Sequence, residues 1–298
     1  MRFLTTTALA IVTASAAFAD WRPDYQTISF GILSGENEKD RIARYQPFEA
    51  YLEEELGVEV EIFTAGNYDG VIQALAADQI EFAFLGSSSY AAAYTATDGG
   101  VVPMVSRLQN DDSTGYYSIL VTRCDSGLND LAALEGKVLA FADPDSTSGY
   151  AVPFYNLSQE VEPASYFAAT PFSGSHEAGV QGVVNGTFDA AATYETNETS
   201  GIVQRMVTKG MIEEGEVCSI WKSPEITSGP LTARANLPEQ MIADMTAAIM
   251  AVPEKDPNAF REMSGGEDST QKAWIEVDHS RYEWIVNMRD WLRDQRRG

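Results

Sequence analysis

The chain is poor in the residues that build metal centres, with two histidines and two cysteines among 298 residues. His176 and His279 lie far apart, and neither has a second His or Cys at ligand spacing. Sites built on imidazole or thiolate need such partners, so neither a metal site nor a cofactor is expected. Basic residues are also scarce, 20 against 44 acidic ones, which gives a formal charge of −24. Nucleic acids and anionic membrane surfaces demand basic footprints, and both are excluded as partners. Beyond residue 19 no apolar run reaches the length of a membrane span, so no direct membrane insertion is expected. The G-x-S-x-G elbow that presents a hydrolase serine is missing as well.

What is there begins with an export signal. Residues 1–19 open on Met1-Arg2, continue through a small, apolar stretch and end in Ala17-Phe18-Ala19, an A-x-A cleavage pattern. The mature chain is expected to start at Asp20, without a Cys there to carry a lipid. Cys124 and Cys218 would then meet an oxidising compartment, where an even pair is expected to bridge.

The remaining length suits two domains of roughly 100 to 200 residues each. Apolar runs alternate with helical patterns: a strand at 28–32, then a helix through Pro47, Phe48, Tyr51, Leu52 and Leu56 that Gly57 stops. An alternating strand at 58–63, a helix around Val71, Ile72 and Leu75, and a strand at 82–85 follow. After 101–105 and 115–121 a second set begins at Val138, with helices at 149–159, 176–184 and 201–209 and strands at 188–192 and 218–221. A return strand at 231–233 precedes two helices, 239–250 and 280–294. This order predicts an α/β fold with mainly parallel sheets flanked by helices.

The most informative motif is Asp143-Pro144-Asp145-Ser146-Thr147-Ser148-Gly149, which follows the apolar run 138–141 and opens a helical pattern. The first N–H groups of a helix lack internal acceptors and carry the positive end of its dipole. With the adjacent hydroxyls they can ring one oxyanion. One Ser or Thr would be an ordinary cap; three in a row exceed that need. Such a cradle requires no basic side chain, and surface charge is screened over about 8 to 10 Å, so neutral donors can hold an anion inside an acidic protein. His176 opens a further helix, while Ser87-Ser88-Ser89, which could add a donor from the first lobe, read rather as a cap for a helix at 90–95.

Gly31-Ile32-Leu33-Ser34, Asn67-Tyr68-Asp69-Gly70, Gly115-Tyr116-Tyr117-Ser118, the Asp143 to Gly149 motif with Pro153, Gly174-Ser175-His176-Glu177 and Ile220-Trp221-Lys222-Ser223-Pro224 follow one another along the chain. In this order they resemble the periplasmic phosphonate-binding proteins of ABC importers, over roughly residues 28–235. The resemblance implies a type II, two-lobed periplasmic solute-binding protein, not an enzyme. Lobe 1 would comprise 20–117 and 232–298 and lobe 2 would comprise 118–231, with crossover strands at 118–121 and 231–233. It further implies that a monomer captures a phosphonate, phosphite or phosphate between the lobes and delivers it to an ABC permease in the inner membrane. The implied ligand-binding residues are Tyr68, Tyr116, Ser146, Thr147, Ser148 and His176. Where aminoalkyl-phosphonate binders of the family place carboxylates around the ligand amine, this chain offers Glu195 at one position and Gly229 at the other. Glu195 leaves an amine-bearing ligand open, and Gly229 argues against it.

Two other readings use the same residues. Ser146 or Ser148 with His176 and Asp143 contain the residue types of a serine hydrolase acting on an ester or phosphoester. A ligand-sensing subunit for a membrane kinase would use the same lobes. Several hydroxyls at one helix start suit holding an anion better than activating a single Ser.

Overall fold

Residues 20–295 are described in a computed structural model; the signal segment expected at 1–19 lies outside the described residues. The first unit runs β1 (Thr27–Ile32), α1 (Glu38–Leu56), β2 (Glu59–Thr64), α2 (Tyr68–Ala76), β3 (Phe82–Phe84), α3 (Ser87–Ala96) and β4 (Val101–Gln109). The second runs β5 (Gly115–Arg123), β6 (Leu139–Ala140), α4 (Val152–Leu157), α5 (Pro163–Tyr166), α6 (His176–Val184), β7 (Ala190–Asn197), β8 (Ser200–Gly201), α7 (Ile202–Thr208), β9 (Val217–Lys222) and β10 (Ile226–Thr227). The chain then returns through β11 (Leu231–Arg234), α8 (Glu239–Lys255), α9 (Pro257–Ser264), β12 (Gln271–Glu276) and α10 (Glu283–Gln295).

Local chemistry sets the ends of α1. The Asn37 side chain accepts the Asp40 N–H at the start, and Gly57, in the left-handed region at φ 70°, returns its N–H to the Glu53 carbonyl. Pro47, expected near the start of this helix, stands in its middle. An interior proline costs about 3 kcal/mol. Burial of Tyr45, Phe48, Leu52 and Leu56 against the first sheet offsets it.

Two sheets flanked by helices form the two lobes of an α/β protein. One has the order β12-β4-β11-β3-β1-β2; the other is β10-β5-β7-β6, with β8 on β7 and β9 on β5. They are more mixed than the expected mainly parallel sheets. In the first, β2 and β3 both pair in parallel with β1, but β11 is inserted antiparallel between β3 and β4, and β12 lies antiparallel on β4. In the second, β6 and β7 are parallel, while β5 runs antiparallel to β7, β9 and β10. The cause is the crossover: β5 enters the second sheet directly from the first, β11 returns the other way, and neither has a helix to reverse its direction. The stretches 118–121 and 231–233 lie inside these two strands. The chain passes between the sheets at 110–114 and 228–230, where the Ser228 N–H donates to the Thr114 carbonyl (3.1 Å).

Each lobe has its own core, Ile28, Phe30, Phe48, Leu52 and Phe82 in the first and Ile119, Val121, Val180, Ala191 and Met206 in the second. Helix α10 spans both lobes: Arg289 donates to the Ser88 hydroxyl (2.8 Å) and pairs with Asp145 (2.7 Å), and Trp291 meets Tyr155 edge-on at 5.0 Å.

Cys124 and Cys218 are bonded, with their Cα atoms 5.0 Å apart, because the β5–β9 ladder sets Thr122 opposite Cys218. The bridge spans 94 positions of the second lobe. Replacing both cysteines by serine should therefore lower stability by about 2 to 4 kcal/mol in urea unfolding. Coincident midpoints for variant and parent would show that the bridge contributes nothing.

Candidate ligand site in the cleft between the lobes

The anion motif folds as a turn rather than as the start of a simple helix. Ser146 takes the capping position, its Oγ accepting the Gly149 N–H at 3.0 Å. Residues Thr147–Ala151 then form one π-helical turn, with the Ala151 N–H on the Ser146 carbonyl (3.0 Å), before α4 begins. Such wide turns recur at functional sites. The Thr147 and Ser148 N–H groups, at its start, have no intrahelical acceptor. Gly149 is required by crowding: a Cβ there would lie 2.5 Å from the Ala142 Cβ and 2.9 Å from His176 Cε1.

His176 is the first residue of α6, where Ser175 caps by accepting the Ala178 N–H. Its Nε2 meets Ser146 Oγ at 3.2 Å and its Nδ1 meets Thr193 Oγ1 at 3.1 Å. Burial, reinforced by the Arg205 charge, holds the imidazole down at about 4, so it is neutral at physiological pH. Tyr68, first residue of α2 after the Asn67 cap, brings its phenol beside Ser146, and Tyr116 on β5 brings its own beside Thr147 and Ser148. Burial raises both phenols, which keeps them as protonated donors. Tyr68, Tyr116, Ser146, Thr147, Ser148 and His176 all line one cavity of about 220 Å³ between the lobes.

Glu195 is not brought there. Successive residues of a strand face opposite ways: Tyr194 on β7 lines the cavity and packs edge-on to His176 at 5.1 Å. Glu195 pairs with Lys222 at 2.6 Å, and Lys222 lies over the Tyr117 ring at 3.9 Å. One step along β7 thus puts Tyr194, and not Glu195, on the cavity wall. Gly229 has a steric reason for carrying no carboxylate, since a Cβ there would lie 2.0 Å from the Leu85 carbonyl oxygen.

Asp143 does not complete a triad. Its two oxygens accept the N–H groups of Asp145 (2.8 Å) and Tyr68 (3.2 Å), and the far side of His176 faces a threonine. The serines 87–89 are not caps either. Gly86 holds the capping position of α3, and the serines sew the lobes together: the Ser88 N–H donates to Thr147 Oγ1 (2.8 Å), Ser89 Oγ to the Asp145 carbonyl (2.9 Å), and Ser87 Oγ to the Thr227 carbonyl.

The sequence reading missed the guanidiniums. Arg44, Arg107 and Arg205 line the same cavity. Glu36 lies among them: burial alone would raise its carboxyl, but Arg44, Arg205 and Lys209 hold it down at about 2. The available signal was a cation inside the apolar pattern, Arg107 within β4 and Arg44 one position from the buried Tyr45 on α1. Among the described residues no group of His, Cys, Asp or Glu could hold a metal ion, and no helix is long and apolar enough to cross a membrane.

Two α/β lobes joined by paired crossings around a cleft lined with hydrogen-bond donors define the two-lobed extracytoplasmic solute-binding class. More narrowly, the chain belongs to the family described as ABC transporter, phosphonate, periplasmic substrate-binding protein, which its residues 30–282 match; this is a family of binding proteins, not of enzymes. It is 34% identical over 219 residues to the phosphonates-binding periplasmic protein of Escherichia coli (strain K12), covering 72% of this chain and 62% of that protein. It is 27% identical over 280 residues to the phosphate-import protein PhnD of Mycolicibacterium smegmatis, covering 89% of this chain and 85% of that one. In fold it is similar to PhnD1 from Prochlorococcus marinus, solved with methylphosphonate, at a TM-score of 0.78, 20% identity and coverage of 90% and 98%.

The lowered His176 predicts a pH effect. Between its unfolded value near 6.5 and its folded value of about 4 the unfolded chain binds more protons, so stability falls as pH falls through this window. The expected loss approaches about 3 kcal/mol. Urea unfolding of parent and His176→Gln at pH 7 and pH 4.5 tests it; the variant should lack this part of the slope, and equal slopes would contradict a buried neutral imidazole.

Proposed function

We propose that this chain is the extracytoplasmic solute-binding component of an ABC importer, working as a monomer exported by the signal at 1–19. It captures a phosphonate, or a related phosphite or phosphate, between its lobes and delivers it to an inner-membrane permease. The observation that carries this reading is the convergence of the Ser146-Thr147-Ser148 turn, His176 and Tyr116 from the second lobe with Tyr68 from the first on one cavity. The turn offers backbone N–H groups and hydroxyls and the phenols add two donors, while the imidazole, held between Ser146 and Thr193, fixes the Ser146 hydroxyl in the cavity wall. Together they suit the several acceptor oxygens of a tetrahedral phosphorus anion. Glu195, paired with Lys222, is left out of this set.

On this reading the lobes divide at 110–114 and 228–230, the connections about which they move, rather than at 117/118 and 231/232, so that Tyr116 on β5 belongs to lobe 2. Contacts from both lobes exist together only when the cleft is shut, so ligand shifts the population to the closed form that a permease would recognise. The phosphonate and phosphate named for the relatives, and the methylphosphonate bound to the Prochlorococcus protein, agree with this ligand class.

Loss of one charge-assisted bond costs about 1.5 to 3 kcal/mol, or roughly 10- to 150-fold in affinity. Thr147→Ala and Tyr116→Phe should each weaken methylphosphonate binding by that factor in calorimetry, with thermal unfolding still cooperative. Affinities within about twofold of the parent would remove these residues from the site. Absence of binding by phosphate, phosphite and methylphosphonate alike would remove the ligand class.

A further inference from the structure

Besides the hydroxyl turn, the cavity presents three guanidiniums, Arg44 from α1 and Arg107 from β4 in the first lobe and Arg205 from α7 in the second. Arg44 is committed within the protein: its Nε and one terminal nitrogen engage Glu36 (3.1 and 2.5 Å), and the other donates to the Met263 carbonyl (2.8 Å). Lys209 is committed as well, to Asp40 (2.9 Å), Glu36 (3.2 Å) and Glu177 (3.5 Å).

The other two are not. Among the described residues Arg107 has no carboxylate partner; it donates to the Ser264 carbonyl (3.1 Å), and its guanidinium lies over the Phe84 ring at 4.7 Å. Among the described residues Arg205 has a single ion pair, 3.6 Å to the Glu36 already shared by Arg44 and Lys209, and its Nε is buried without a hydrogen-bond partner. The remaining carboxylate on the cavity wall, Asp268, accepts the Thr208 hydroxyl at 3.0 Å. Cations withdrawn from water without a counter-charge are costly, and the planar fork of a guanidinium matches a carboxylate in bidentate fashion.

The cavity also has room for more than a head group. One water takes about 30 Å³ of liquid, and a volume of about 220 Å³ exceeds what a bare tetrahedral anion fills. The two ends belong to one cavity, whose wall carries Arg107 and Arg205 together with His176 and Tyr116. We propose that Arg107 and Arg205 form a subsite for a second anionic group, and that the ligand is a phosphorus oxyanion carrying a carboxylate on a short carbon linker. This rests on the phosphorus-binding reading above and narrows its substrate class. An ammonium at the same place would face Arg107, which has no carboxylate partner among the described residues, and Arg205, which shares Glu36 with two other cations, so aminoalkyl ligands are disfavoured.

Calorimetry with phosphonopropionate, propylphosphonate and aminoethylphosphonate tests the subsite on the full chain and on Arg107→Gln and Arg205→Gln. Phosphonopropionate should bind at least about 10-fold more tightly than propylphosphonate, equivalent to about 1.4 kcal/mol, with aminoethylphosphonate the weakest. Both variants should bring the ratio of the first two dissociation constants towards one. If propylphosphonate binds and the parent ratio is already near one, the second subsite is overturned while the phosphorus site stands. If either variant weakens both ligands equally, that guanidinium holds the phosphorus head and its assignment here is overturned. If no phosphorus compound binds, both readings fall together. The parent ratio needs no variant, so a misfolded substitution cannot shield the proposal.

Discussion

The Ser88 N–H bonded to Thr147 Oγ1 at 2.8 Å is the contact on which the rest of the cleft depends. It joins the first turn of α3 in one lobe to the first residue of the anion turn in the other, at a point where both backbones must come close. A Cβ on Gly86 would approach Thr147 Oγ1 to 3.1 Å, and one on Gly229 would collide with the chain at Leu85. Having accepted from Ser88, the Thr147 hydroxyl keeps its own hydrogen to donate. In the proposed function the same side chain would hold the lobes together and hold a ligand, which would couple closure to binding. Arg289 on α10 braces this joint through Ser88 and Asp145.

Charge is organised by depth. The chain as a whole is strongly acidic, at −24, yet the cavity wall carries three guanidiniums. Surface carboxylates are screened by water and salt and reach only weakly into the cleft. Inside, where Ser146, Thr147, Ser148 and His176 are 2–4% exposed, hydrogen bonds and charges act in a poorer dielectric and count for more. The neutral imidazole fits this arrangement, since its proton is not needed for positive potential that Arg107 and Arg205 already supply. Glu36 keeps the cluster from being wholly repulsive by engaging Arg44 and Lys209 closely and Arg205 at longer range.

Much of this was legible along the chain. Helix α6 stands where the spacing put it, 176–184, with Ser175 capping; the Gly57 stop and the Cys124–Cys218 bridge follow their signals. Departures arose where a neighbour in space outweighed a local preference. Pro47 sits mid-helix because α1 is held by a buried aromatic face. The run 87–89 looked like caps and became a seam because another lobe supplied partners for its hydroxyls. Strand β12 and helix α9, absent from the sequence reading, are short elements whose burial comes from packing on β4 and α1.

The sequence by itself determined the alternation of strands and helices, the hydroxyl-rich turn at 146–148 and the oxidised cysteine pair. Each depends on periodicity, local hydrogen bonding or compartment. Only the tertiary structure decided that Tyr194 rather than Glu195 faces the cleft, because one step of strand register turns a side chain to the opposite face. It alone also gathered Arg44, Arg107 and Arg205, which lie on separate elements of two lobes and have no common pattern in the chain. Their shared surroundings, with Glu36 among them, exist only once the lobes have docked.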